Sequence, residues 1–364
     1  MAWIAVSDHR GDNLSFRGLG RPTSEPDLLS HSPDAIMPRG SLVVETRLSA
    51  AAEPEPLVYY DRPGVWPFHF SLQSIPGGGV ALVFNQDGHL LHRTIDETAP
   101  GRMDVLRITY SWDAPQRWAR LAVERPDLGR VTVEIIASPK PLPVSDLLTL
   151  MQAGPDRYLA PDVVFLALSD GIEPIGPSPS LHPDTPVATP EGYRPVQALV
   201  RGDTILSADG EVVPVLHQIC RTVPARGTFA PLRLRSPYFG LRKDVLVSAS
   251  QRLVLSGSDV EYLFGQEAVM TSAGNLLGGT SVLPEGWGAT STYSQVILPG
   301  HEPLDLAGTV GESLYVGRIS RKPRLLEASL MANLPRSSLP DHRRPSHQLL
   351  HTFDARILAE RRVA

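Results

Sequence analysis

The sequence of 364 residues contains a single cysteine, Cys220. One cysteine excludes an intrachain disulfide and a zinc site built from several cysteines. Cys220 ends the apolar run 212–220, so we predict a buried, unreactive thiol in a strand. Neither His182 nor His217 has a partner at metal-ligand spacing, so the sequence predicts no metal and indicates no cofactor.

Long apolar runs and an excess of positive charge are also missing. No stretch approaches the roughly 18 apolar residues of a membrane helix, and residues 1–9 lack the basic start of a signal peptide. The net charge of -5 gives no basic surface for nucleic acid or acidic lipid. We therefore predict a soluble chain that binds neither nucleic acid nor membrane and is cytoplasmic by default, with signal-less export as the alternative.

Proline (35) and glycine (30) are plentiful and separate short β-type runs. The first half has predicted strands at 41–48, 68–72, 80–85, 90–94, 105–112, 120–124 and 131–136. Gln86-Asp87-Gly88 is a hairpin signal, because Asp-Gly accepts the positive φ angles of tight turns. Repeated strands joined by hairpins predict a β-sandwich of the jelly-roll kind.

The second half continues the β pattern until its last part. Its predicted strands lie at 185–188, 204–207, 212–220, 232–234, 245–248, 252–255 and 296–298, and helical spacing marks 325–331 and 355–360. The proline- and glycine-rich segment 173–179 is typical of a linker with little to pack. We predict an all-β protein with a sandwich at 1–172, this linker, a second β domain at 180–317 and a C-terminal helical tail at 318–364.

The most informative stretch begins at Ser180. Its residues match, in register, a motif in which a nucleophile precedes G-T-x-I-x-T-x-x-G-x-x-P-V and L-x-x-G-D-x-V-L. The matching residues are Thr185, Val187, Thr189, Gly192, Pro195, Val196, Leu199, Gly202, Asp203 and Leu206. With them the sequence resembles a bacterial Hint (hedgehog/intein) domain, although Asp184 replaces the opening glycine.

Two later blocks extend this resemblance to about residue 317. Residues 247–252, with the sequence VSASQR, resemble the family block V-S-x-x-H-R. The block L-x-x-H-E followed by G-x-x-x-E-S is matched by Leu298, His301, Glu302, Gly308, Glu312 and Ser313. The resemblance implies a self-processing β-fold related to inteins.

The family chemistry is implied for particular residues. Ser180 would attack the carbonyl of Pro179, converting the amide into an ester that water or another nucleophile then cleaves. Ser248 would supply a hydrogen bond, and the residue at 251 would protonate the departing nitrogen. His301 is either a structural strand-end histidine or a base. Such chemistry is at most a single-turnover autocleavage or splicing-like reaction of the chain's own peptide bond.

Three positions depart from the family pattern. Ser180 replaces the usual cysteine, Gln251 replaces a histidine, and Gln295 lies where many relatives carry histidine. Because glutamine neither gives nor takes a proton, we predict a Hint domain with a degenerate active site and weakened catalysis. The alternatives are active autocleavage at Pro179–Ser180, and a non-enzymatic binding or structural protein with a lectin-like N-terminal module.

The N-terminal half resembles, more loosely, a concanavalin A-like (laminin-G type) sandwich, through its strand count and turns such as 77–79. This resemblance implies a carbohydrate or protein ligand. Residues 59–62, Trp66 and Trp112 either form an aromatic sugar platform or fill the core and its rim.

Overall fold

The computed structural model describes residues 2–48, 54–96, 104–286 and 288–363. The chain divides into two compact units, Met1–Gly176 and Pro177–Ala364. Strands dominate both units and the helices are few and short, which confirms the predicted all-β class.

The N-terminal unit contains fourteen of the described strands and one α-helix. The strands are β1 (Trp3–Asp8), β2 (Gly11–Leu14), β3 (Ile36–Met37), β4 (Arg39–Leu48), β5 (Glu55–Arg62), β6 (Phe68–Ile75), β7 (Gly79–Gln86), β8 (His89–Ile95), β9 (Asp104–Asp113), β10 (Trp118–Arg125), β11 (Arg130–Ala137), β12 (Leu142–Pro143), β13 (Arg157–Leu159) and β14 (Val163–Ser169), and the helix is α1 (Val144–Met151). At the β7–β8 hairpin, Asp87 and Gly88 both have positive φ angles of 48° and 78°, which is what the Asp-Gly signal predicts.

Two antiparallel sheets make this unit a β-sandwich, as predicted. One has the strand order β11-β10-β9-β4-β14-β1-β2 and the other β13-β5-β6-β7-β8. Alternate residues point inward from each strand, so Phe70 and Leu82 of one sheet share a single core cluster with Leu106 and Ile108 of the other. Trp112 belongs to the same cluster.

The segment that follows β14 packs on the seven-stranded sheet. Ser41 Oγ donates to the Gly171 carbonyl at 2.8 Å and accepts from the Glu173 amide at 2.8 Å. Arg120 donates to the Glu173 carbonyl at 2.7 Å, and Ile175 is 1% exposed. The prediction of a linker with little to pack is therefore wrong for residues 173–176, because polar side chains on the sheet satisfy their backbone groups.

The C-terminal unit contains fourteen further strands and three α-helices among the described residues. They are β15 (Pro186–Thr189), β16 (Gly192–Pro195), β17 (Thr204–Leu206), β18 (Val212–Pro214), β19 (His217–Pro224), β20 (Pro231–Leu234), β21 (Val245–Ser248), β22 (Arg252–Ser256), β23 (Ala268–Ser272), β24 (Val282–Pro284), β25 (Thr290–Ile297), β26 (Leu304–Leu306), β27 (Thr309–Gly311) and β28 (Gln348–Leu349), with α2 (Ser258–Phe264), α3 (Pro323–Glu327) and α4 (Thr352–Val363).

Small sheets build this unit around one apolar cluster. The largest sheet has the order β26-β27-β22-β23-β28, a second has β21-β20-β24, and β19 pairs with β25 in a two-stranded ribbon. The tail is part of this structure: Leu350, Ala355 and Leu358 share a core cluster with Leu181 and Val247. No helix in the described part of the chain is long and apolar enough to cross a membrane.

Cys220 lies in the β19–β25 ribbon and is exposed, which contradicts the predicted buried thiol. The predicted strand 212–220 is divided into β18 and β19. Side chains alternate along β19, so Ile219 is buried while its neighbour Cys220 faces outward. The apolar run therefore ends in a strand of a two-stranded ribbon, and only one face of that strand is buried.

Candidate functional site

Ser180 lies in an extended segment held between β21 and β25. The next residue, Leu181, forms isolated bridges to Val247 of β21 and Ser294 of β25. The Ser180 carbonyl accepts a hydrogen bond of 2.7 Å from the Ser248 amide, and Ser294 N donates to Leu181 O at 2.8 Å. These backbone bonds fix Ser180, which is 9% exposed, against the two strands.

Two glutamine side chains surround Ser180. Its hydroxyl donates to Gln251 Oε1 at 2.6 Å, and Gln295 Oε1 lies 3.1 Å from the same hydroxyl. The backbone N–H of Ser180 also donates to Gln295 Oε1, at 3.1 Å. Gln251 directly precedes β22, Gln295 lies in β25, and each is 1% exposed.

Backbone carbonyls fix the orientation of both glutamine amides. Gln251 Nε2 donates to Arg252 O at 2.7 Å and faces Glu312 O at 3.3 Å. Gln295 Nε2 donates to Glu312 O at 2.6 Å. A carbonyl only accepts hydrogen bonds, so the nitrogen of each amide must face it. The two amide oxygens are therefore the atoms that face Ser180.

This geometry places acceptors where self-cleavage needs a proton donor. Ser180 N is the nitrogen that would leave if the Pro179–Ser180 bond broke, and a leaving nitrogen must gain a proton. Gln295 Oε1, which faces that nitrogen, carries no proton to give. Gln251 Oε1 accepts the hydroxyl hydrogen bond but is too weak a base to remove the proton.

Ser248 contacts Ser180 through its main chain. Its amide binds the Ser180 carbonyl, whereas its hydroxyl lies 2.7 Å from Ser250 Oγ. The side chain of Ser248 is fully buried. The hydrogen-bonding role that the resemblance implies for residue 248 thus falls on its backbone N–H, and Pro179 is buried directly before Ser180.

His301 is engaged away from Ser180. Its Nε2 lies 3.1 Å from Glu312 Oε1, and its Nδ1 accepts the Ser346 amide hydrogen bond at 3.0 Å. Burial raises the pKa of Glu312, but the charges of Arg252 and His301 outweigh burial and hold that pKa below its ordinary value. His301 therefore contacts the carboxylate of the residue whose carbonyl orients both glutamines.

Sequence reasoning assigned Glu312 only to a motif and gave it no role. Its backbone carbonyl holds Gln251 and Gln295, and its carboxylate pairs with Arg252 at 3.2 Å. A backbone carbonyl has no residue-type signal, so only the motif position could have drawn attention to it. The described residues contain no group of three or more His, Cys, Asp or Glu side chains that could hold a metal ion.

The aromatic residues that the sequence grouped together are divided between core and surface. Trp112 is 0% exposed, and its Nε1 donates to Met37 O at 3.0 Å. Tyr60 is also buried, and its hydroxyl donates to Asp146 Oδ1 at 2.8 Å. Tyr59 and Trp66 remain exposed, at 38% and 55%.

Comparison with known families addresses the region around Ser180. The sequence of residues 179–318 matches the profile of the family described as the Hint domain. Residues 179–318 are a Hint domain. This match confirms the resemblance and supports the self-processing class for this part of the chain. A search of curated proteins finds no sequence that matches.

Solved structures similar to this chain are distant. The CBM40 of the Ruminococcus gnavus IT-sialidase, bound to alpha2,6 sialyllactose, is 14% identical, with 37% of this chain and 77% of that chain covered and a TM-score of 0.26. Domains LG4-5 of the mouse laminin alpha1 chain are 10% identical over 81% and 83% of the two chains, with a TM-score of 0.23. The binding domain of Botulinum Neurotoxin DC, in complex with SialylT, is 8% identical over 90% and 96%, with a TM-score of 0.26. At these scores the neighbours carry no argument about ligand or fold.

The sequence match to the Hint domain begins at Pro179, directly before Ser180, and ends at residue 318. The folded unit extends further, since the tail adds β28 to β23 and three apolar side chains to the Hint core. The C-terminal helical segments are therefore packed elements of the same compact unit.

Proposed function

We propose that this Hint domain is of the self-processing class and that its cleavage chemistry is strongly impaired, so that the Pro179–Ser180 bond stays intact. The observation that carries the proposal is the hydrogen bond from Ser180 N to Gln295 Oε1, at 3.1 Å. The leaving nitrogen donates to the amide oxygen of Gln295, and the hydroxyl donates to the amide oxygen of Gln251. The two functional groups of residue 180 thus each face a side chain that cannot transfer a proton.

The size of the expected defect follows from the missing groups. General acid–base catalysis contributes about 10²–10⁴-fold to a rate. A serine hydroxyl is also far less ionised at neutral pH than a thiol, whose ordinary pKa is about 8.5. Losing both the imidazole and the thiol removes both contributions, so we expect the Pro179–Ser180 bond to stay intact.

The first test is the intact mass of the purified full-length chain, held with hydroxylamine for days at neutral pH. Hydroxylamine attacks esters, so any ester formed at Ser180 is captured as cleavage. We expect one species at the mass of the whole chain, 39.6 kDa. Fragments meeting at Pro179–Ser180, and abolished by Ser180→Ala, would establish the active alternative and refute the proposal.

A ligand for the N-terminal unit is a second proposal, favoured by one observation. Tyr59 of β5 and Tyr158 of β13 are direct cross-strand partners, and both are exposed on the outer face of the five-stranded sheet. The Tyr158 hydroxyl donates to Glu55 Oε1 at 3.1 Å. Adjacent exposed rings beside a carboxylate suit a carbohydrate, whose C–H faces stack on rings while its hydroxyls bond the carboxylate.

A glycan array probed with the full chain tests this second proposal. Tyr59→Ala is expected to weaken any detected binding between about two- and tenfold, the value of one aromatic contact. Tyr262→Ala is the matched control, because Tyr262 is exposed (76%) in the other unit. A silent array, or equal loss in both variants, would remove the carbohydrate proposal and leave a protein ligand as the alternative.

A further inference from the structure

The C-terminal segment 341–350, here called the latch, is held on the Hint domain mainly at its two ends. His342 and Leu350 are buried, at 3% and 4% exposure, whereas residues 343–346 between them are exposed. At the second end, β28 pairs in parallel with β23, and Leu350 N donates to Met270 O at 2.8 Å. At the first end, His342 N donates to Gly317 O at 2.9 Å, and the His342 side chain makes two further contacts with the Hint domain.

The two ring nitrogens of His342 bind two backbone groups of opposite kind. Val316 N donates to Nδ1 at 3.2 Å, and Nε2 lies 3.1 Å from the Leu298 carbonyl. Because an amide N–H only donates and a carbonyl only accepts, the ring must be neutral with its proton on Nε2. A second proton on Nδ1 would face the Val316 N–H and break that bond.

His301 makes the reciprocal contact from the Hint domain to the latch. Its Nδ1 accepts the Ser346 amide at 3.0 Å, and its ring centroid lies 5.7 Å from that of His342. Each imidazole thus accepts a backbone N–H across the contact between latch and domain. A second proton on His342 would disrupt one of these two bonds.

We infer that the latch is a pH-operated device, in which protonation of His342 releases residues 341–350 from the Hint domain while the rest of the unit stays folded. A cleft already separates residues 344–348 from residues 265–268, so the middle of the latch borders open space. Release would expose Leu350 and the edge of β23. This device is independent of cleavage at Ser180.

Burial is the largest influence on the pKa of His342. The titratable groups that face it are His301, Tyr315, Glu302 and Asp341, and Asp341 is itself paired with Arg318 and Arg321. Those that face His301 are Glu312 and His347, with Arg252 behind Glu312. Burial and the charge of His301 lower the pKa of His342 and outweigh the Leu298 hydrogen bond and the carboxylates, which raise it.

The sign of the pH dependence follows from that lowered pKa. A released His342 regains its ordinary pKa of about 6.5, so the released latch binds more protons than the closed one. The closed latch therefore keeps its full stability above about pH 6.5 and loses it as the pH falls through the lower pKa of the buried ring. At pH 5.0 protonation of His342 alone can raise the release equilibrium by at most about 30-fold, because pH 5.0 is about 1.5 units below 6.5.

Hydrogen exchange of the full chain at pH 7.5 and 5.0, with labelling times scaled for the intrinsic exchange rate, tests this inference. We expect latch peptides to lose protection several-fold at pH 5.0, up to the 30-fold ceiling. Peptides from β25 should keep their protection, since its bonds to β19 involve no histidine ring. Equal latch protection at both pH values, or simultaneous opening of latch and β25, would overturn the inference.

Two variants sharpen the result. His342→Asn keeps an acceptor oxygen near the position of Nδ1 but does not titrate, so its latch protection should respond to pH less than that of the unmodified chain, with only the contribution of His347 in the latch remaining. His351→Asn, at an exposed position next to the latch, should retain the full response. An undiminished response in His342→Asn would also overturn the inference, and if that chain fails to fold, the comparison of the unmodified protein at two pH values decides alone.

Discussion

A chain carrying Ser180→Cys, Gln251→His and Gln295→His is expected to cleave itself at residue 180. The backbone is already in place, since the Ser180 carbonyl is held by the Ser248 amide at 2.7 Å. The Glu312 carbonyl, which now accepts Gln295 Nε2 at 2.6 Å, can accept an imidazole N–H in the same way. That bond would turn the second ring nitrogen towards the leaving nitrogen, where a protonated imidazole is a general acid.

The expected rate gain over the unmodified chain is at least about 10⁴-fold, the product of two acid–base contributions of about 10² each. Intact mass after incubation with a thiol should show fragments corresponding to 1–179 and 180–364. Adding Cys220→Ser removes the exposed native thiol, so that the cysteine at residue 180 is the only thiol left. The fragments should not change. A folded triple variant that stays whole would show that the defect lies elsewhere than in these three side chains.

Replacing Trp112 by alanine is expected to lower the free energy of unfolding of the N-terminal unit by about 3–5 kcal/mol. The ring is fully buried, stacks on Tyr110 with centroids 5.7 Å apart, and its Nε1 donates to Met37 O. Because Gly40 has no side chain, it makes room for the ring: a Cβ added at Gly40 would lie 2.9 Å from Trp112 Cη2. Alanine would therefore leave a cavity and remove the hydrogen bond to Met37 O.

Urea unfolding followed by tryptophan fluorescence and circular dichroism measures this difference. Trp66→Ala is the matched control, because its side chain is 55% exposed, and it should change stability by no more than about 0.5 kcal/mol. Equal effects of the two substitutions would contradict the assignment of Trp112 to the core. That result would favour the alternative in which Trp112 belongs to an aromatic sugar platform.

The sequence predicts the fold correctly where local patterns alone determine the structure. Alternation and turn residues predict the β-sandwich, and the Asp87-Gly88 hairpin forms where its φ preference requires. The predictions for Cys220 and residues 173–176 are wrong, because burial there depends on which neighbouring element covers a face. Tyr59 and Tyr60 differ for the same reason: adjacent strand residues point to opposite faces of the sheet.

The sequence predicts part of the candidate site, because the family blocks align residues that are distant in sequence. They predict that Ser180, Gln251 and Gln295 belong together, and the structure brings these three side chains within hydrogen-bond distance. The sequence placed the missing proton donor at 251, whereas the structure puts residue 295 on the leaving nitrogen. Which of two facing residues touches a given atom depends on side-chain packing that motif spacing does not encode.

The most direct test of the central claim restores a proton donor at the leaving nitrogen alone. Ser180→Cys and Ser180→Cys/Gln295→His chains, incubated side by side at neutral pH with a thiol, are compared by intact mass over time. The account predicts that the chain with cysteine alone stays near full length, while the chain with histidine at 295 accumulates the 1–179 fragment about 10²–10⁴ times faster. Equal fragment release from both would contradict it, because the nucleophile alone would then have been the missing group.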